Sequence, residues 1–265
     1  MFPFSTPLPG PADLYLFTLV LCRIAGLFAA LPVFGGQRLP VVIKIVTVLA
    51  ITVLCLPILR LTPPPLPSDP FSVGLMVLRE MLIGLTLAFV TQVIFAAVEF
   101  SGQIIGMQMG FSIASLIDPA MGTQAQPMSV MQTLLATLLF LSLNIHHLFI
   151  RAIIDSFRII PLGGWRMSEA LIRFMVEVTG DVFTLGIRLA APVMVTLLLT
   201  SVVLGIMARA FPQMNVFMVS FPLNIGLGFL VLGATLLLFF HVLELAFGTL
   251  HNQVELLFRV MAKGG

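Results

Sequence analysis

The chain has 265 residues, of which 59% are hydrophobic and only 9% charged, against roughly 25% charged in an ordinary soluble domain. That leaves too little polar surface to coat a water-soluble globule. Its 13 Lys and Arg are scattered without a cluster and the net charge is only +2, which argues against a nucleic-acid-binding surface.

In chain order, the Pro-rich start is expected to be a short irregular arm. Asp13 precedes the first apolar run and the first basic residue is Arg23, so the stretch lacks the positive leading region of a cleaved secretory signal. Segments able to cross a hydrocarbon core, which needs roughly 20 apolar residues, fall at about 14–34, 41–59, 73–100, 128–150, 182–208 and 216–248. Cys22 and Cys55 lie inside such runs and read as small packing residues. The linker LTPPPLPSDP (61–70) is too rich in proline for helix or sheet. Residues 151–181 mix Arg151, Asp155, Arg158, Arg166, Glu169, Arg173, Glu177 and Asp181 with apolar residues. From Ser168 they predict a separate amphipathic helix, opened by Gly163-Gly164.

Six spans place Arg60, Arg79, Arg151, Arg158, Arg166, Arg173, Arg259 and Lys263 on one side of the membrane. Arg38, Lys44 and Arg209 fall on the other. Because Lys and Arg favour the cytoplasmic side, both termini are expected there.

Residues 99–127, EFSGQIIGMQMGFSIASLIDPAMGTQAQP, are apolar without forming an ordinary span. Gly102, Gly106 and Gly110, four apart, would give a helix a bare ridge that admits another backbone. Beside them stand Met107, Met109, Phe111, Ile113, Leu116 and Ile117, with the amides Gln103 and Gln108. The helix is expected to stop near Ile117, since Pro119 disfavours helical geometry at Asp118 and Gly122 loosens the chain beyond. Irregular backbone cannot face lipid, so the stretch should be buried in protein or line a cavity. Adaptable Met side chains suit a deformable seal. The plain alternative is core packing at a turn between two helices.

This stretch resembles the central signature of the FliR family of the flagellar export gate, which has counterparts in injectisome type III secretion. RIAGLFAALPVFGGQRLPVVIKI (23–45), REMLIGLTLAF (79–89) and ARAFPQMNVFMVSFPLNIGLGF (208–229) extend the resemblance over nearly the whole chain. Ile104-Gly106, Asp118-Pro119 and Arg209 with Pro212 are nearer the flagellar branch. The resemblance implies an all-α, polytopic fold of long helical hairpins built into a multi-subunit complex. One export-gate domain would span 1–265, with a FliP-like part at 1–181 carrying a plug loop at about 103–125, and a FliQ-like hairpin at 182–265. It implies one copy among several FliP and FliQ subunits, joined by FlhB, in the bacterial inner membrane at the flagellar basal body. There the complex would pass unfolded flagellar substrates. In the family the corresponding loop points into the pore, so the resemblance makes Met107, Met109, Phe111, Ile113 and Leu116 the plug residues. It also implies a compact assembly partly raised out of the membrane plane.

Adjacent His146 and His147 point about 100° apart on a helix, and no metal motif, phosphate loop, nucleophile elbow or catalytic carboxylate pair is present. No cofactor, metal or bond chemistry is expected. Arg23, Glu99 and Arg188 interrupt apolar runs, and ionisable groups at membrane depth normally face protein or water, so subunit contacts are expected of them. Arg209 and Pro212 mark a tight turn that could meet FliQ-like subunits, and His241 and Glu244, three apart, share a helix face. The rival reading is a self-contained transporter of a small solute using Arg23, Glu99, Arg188, His241 and Glu244. Such a transporter should carry an internal repeat with broken helices in both halves, and none is evident.

Overall fold

The computed structural model describes residues 10–35, 40–59, 61–65, 67, 69–111, 126–165, 167–213 and 215–262. Among the described residues, regular structure is helical throughout: α1 (Pro11–Ala30), α2 (Pro32–Gly35), α3 (Val41–Leu59), α4 (Pro70–Gln108), α5 (Pro127–Ser142), α6 (Ile145–Ile159), α7 (Glu169–Ala210), α8 (Val216–Ala234), α9 (Leu236–Gly248) and α10 (Leu250–Ala262). Four of these, α1, α3, α4 and α7, are long and apolar enough to cross a membrane. The number rises to six if the broken pairs α5 with α6, and α8 with the helices after it, each make one span. The protein is an all-α, polytopic membrane protein.

Local chemistry sets the boundaries. Pro11 opens α1 where its missing N–H costs nothing, and the Asp13 carboxylate accepts from the Gly10 N–H at 3.0 Å. The same helix stops at Leu31, held extended by the proline that follows. The stretch 128–150, expected as one segment, breaks at Asn144, which takes a left-handed conformation (φ 56°). The segment 216–248 breaks at Thr235.

Two expectations are corrected. The helix that opens after Ser168, whose hydroxyl caps the Leu171 N–H at 3.3 Å, is not separate: it runs on as α7 through the fifth apolar segment to Ala210. No turn residue interrupts it, and Pro192 lies inside the helix. Likewise residues 99–108 are not a stretch apart but the last turns of α4.

The chain divides into two compact units. The first comprises Met1–Gln92, Asn144–Val178 and Thr249–Gly265, the second Val93–Leu143 and Thr179–Gly248. In the first unit, α3 lies along α1 and buries little besides Val48, Thr52 and Cys55, and the rest of its apolar surface is open. Amphipathic α6 and α10 bury Phe149, Ile153 and Phe157, and Val254, Leu257 and Phe258. In the second unit, Phe95, Phe140 and Phe247 stack pairwise with centroids 5.8–5.9 Å apart. A second cluster joins Ile105, Met109, Met128, Ala190, Val193 and Leu197.

Candidate functional site

In the second unit the C-terminal end of α4 presents two different faces. One is packed. A side chain at Gly102 would run into the backbone of Ser129, and one at Gly106 into the Gln126 side chain, so α4 and the start of α5 lie nearly backbone to backbone. Polar bonds reinforce the contact: Ser101 Oγ donates to Gln132 Oε1 at 3.1 Å, and Ser129 Oγ donates to the Glu99 carbonyl at 3.0 Å.

The other face is open. Glu99, Gln103 and Met107, four apart, are all exposed, Met107 at 55%. Residues at this spacing share one helix face, so a carboxylate, an amide and a thioether form one stripe.

The helix ends at Gln108, nine residues before the expected stop at Ile117. Gly110, with φ +91°, supplies the left-handed residue that commonly terminates a helix. It lies against the Phe221 ring and so does not extend the ridge of Gly102 and Gly106. Met109 is fully buried, and a Cβ at Gly228 would sit 2.8 Å from its Cγ and Cε. Its side chain therefore belongs to the core of this unit, whereas Met107 is free on the surface. Phe111 packs partly against the same core. Ile113, Leu116, Asp118 and Pro119 lie outside the described residues.

Arg188 is exposed in the middle of α7 and has no ion-pair partner among the described residues. Gly186, two residues earlier, seats α7 on α4: a side chain there would meet Phe100 at 2.6 Å and the Ala97 carbonyl at 3.0 Å. Arg209 and Pro212 are exposed where α7 ends and the chain turns into α8. His241 and Glu244 are exposed, with no bond between them among the described residues. The His146 and His147 rings contact each other, with centroids 4.2 Å apart. Among the described residues no group of three or more His, Cys, Asp or Glu could hold a metal ion.

Arg23 departs from the expectation of a subunit contact. It is 0% exposed in the core of the first unit and ion-paired with Glu80, also 0% exposed, at 2.5 Å. A partner within the chain meets its charge, and this also removes it from any solute-facing polar set. Glu80 is missed by the sequence reading, although an acid beside an apolar run is the signal that could have found it. Nothing in the sequence tells that it faces a residue 57 positions away.

Comparison with known proteins bears on the whole chain. The family described as "Bacterial export proteins, family 1" matches residues 14–250. The flagellar biosynthetic protein FliR of Bacillus subtilis (strain 168) is 34% identical over 247 residues, covering 91% of this chain and 95% of the relative. That of Escherichia coli (strain K12) is 31% identical over 239 residues, 90% and 91% of the two chains. That of Caulobacter vibrioides is 30% identical over 224 residues, 84% and 89%. The chain therefore belongs to the FliR family of flagellar export proteins, multi-pass membrane components of the export apparatus.

Proposed function

We propose that this protein is a structural and gating subunit of the flagellar type III export channel in the inner membrane. It forms the channel entrance with FliP-like and FliQ-like subunits, is joined by FlhB, and passes unfolded substrates without bond chemistry. Beyond family membership, the observation that carries this reading is the open stripe Glu99, Gln103, Met107 together with exposed Arg188. Each of these charges would cost a few kcal/mol facing lipid, so a partner subunit or a water-filled passage covers them. Arg209 and Pro212, exposed at the turn after α7, are offered as a further subunit contact.

The seal is assigned to the stretch from about 103 to 125, with exposed Met107 and half-buried Phe111 as the described residues that contribute and Ile113 and Leu116 beyond them. Met109 is assigned to anchoring the stretch.

A tagged chain extracted in mild detergent should carry FliP-like and FliQ-like subunits with it. Recovery of a lone monomer or homodimer would defeat the reading. Met107→Ala with Phe111→Ala should raise ion leak through the assembled channel, and unchanged conductance would remove the seal assignment.

A further inference from the structure

The first unit holds a buried polar network apart from the proposed seal and partner contacts. Arg23 on α1 donates from Nε to Glu80 Oε2 on α4 at 2.5 Å. From Nη1 it donates to the Ile160 carbonyl at 3.2 Å and to Ser156 Oγ at 3.4 Å, and its guanidinium lies 4.2 Å above the Phe157 ring. The other Glu80 oxygen accepts from the Gly163 N–H at 2.9 Å, while neighbouring Arg79 donates to the Gly163 carbonyl at 3.4 Å. Gly163 has φ +71°, which suits glycine, and a Cβ there would collide with Met76. One ion pair thus ties together α1, α4, the end of α6 and the turn at 160–165.

One turn along, the same two helices touch backbone to backbone. A side chain at Gly26 would strike the Met81 carbonyl, and one at Gly84 the Arg23 carbonyl. The notches let the helices meet and already penalise slides that bring larger side chains to the contact, but they do not reach the 160–165 turn. Charges with directional bonds separate neighbouring settings sharply, since a shift of one residue leaves both buried and unpaired.

We propose that the Arg23–Glu80 pair is a register key: it selects one axial and rotational setting of α1 against α4, and of the 160–165 turn against both. It adds little to whether the helices form, because replacing a buried ion pair by apolar residues of similar volume is often neutral or stabilising.

Trp165, the chain's single tryptophan, is 2% exposed at the end of this turn and reports on it directly. The full-length protein in detergent is compared with Arg23→Met/Glu80→Met by circular dichroism, thermal melting and acrylamide quenching of Trp165. The double variant should keep its helix content and melting midpoint, while quenching rises about twofold and the emission broadens, as expected of an unfixed turn. Wild-type quenching would overturn the proposal. So would a fall in helix content or midpoint, which would make the pair a stabilising element instead. Arg23→Lys keeps the charge pair but loses the bonds to Ser156 and Ile160; it should melt as wild type with quenching raised about 1.5-fold. Quenching identical to wild type in this variant would equally overturn the proposal.

Discussion

Met107 and Met109 stand two residues apart at the end of α4, one in the open and one sealed in a core. Sequence alone gives both the same adaptable thioether, and only the helix end at Gln108 separates them. Met109→Ala should lower unfolding stability by about 2–5 kcal/mol, the range for emptying a packed site, as read by denaturant melting in detergent. Met107→Ala should leave the melt unchanged, and equal effects would contradict the assignment. Two glycines of one helix offer a matched test. Gly84 faces the Arg23 and Leu27 backbone, whereas nothing lies within 4 Å of where a Gly74 side chain would begin. Gly74→Ala should gain up to about 1 kcal/mol from helix propensity. Gly84→Ala carries the same propensity gain but must push α1 away, and should be destabilising in the same melt. If the two behave alike, the backbone contact is wrong. The Gly102 contact was readable as a small-residue ridge, but Gly26 and Gly84 were not singled out, because glycine in an apolar run does not name what it faces.

At the scale of elements, hydropathy located the long helices and set the bounds of α3 to the residue, but it missed the end of α4, the start of α7 and the break at Asn144. Apolar residues on all sides leave no periodicity from which to read a face or an end. The charged residues 169–181 suggested a helix of their own, yet they continue without interruption into the fifth apolar segment. Pro119 is the stronger breaker in the sequence, but Gly110 acts first, because a left-handed residue closes a helix without needing proline. The interruption at Asn144 lay hidden inside a run that is hydrophobic throughout. It is testable: Asn144→Gly should be neutral or mildly stabilising, and Asn144→Val should cost about 1–2 kcal/mol for forcing a branched side chain into that conformation. An unaffected Val variant, measured by the same melt, would place the chain in an ordinary helical conformation there.

Across the whole molecule, open apolar surface dominates. Val41, Val42, Ile45, Val46 and Val53 on α3, and Leu198, Leu199, Val202 and Ile206 on α7, are all exposed. Lipid and neighbouring subunits both accept such surface, which is why composition points to a membrane protein without saying what covers it. The exposed charge of Arg188 is more discriminating. Arg188→Leu should reduce recovery of FliP-like and FliQ-like subunits in the pull-down if that cation meets a partner, and should leave recovery unchanged if it merely reaches an aqueous surface.

The length of α4 carries this further. Its 39 residues make a rod of about 58 Å at 1.5 Å per residue. To sink it wholly in a hydrocarbon film of about 30 Å, it would have to lean by about 59°, beyond the 0–40° that membrane helices adopt. Part of α4 therefore lies outside the hydrocarbon core, where exposed hydrophobic surface invites aggregation and quality-control proteolysis. If partner subunits cover that surface, the chain's half-life in cells lacking the other export subunits should be several-fold shorter than in cells that supply them, as a chase experiment would measure.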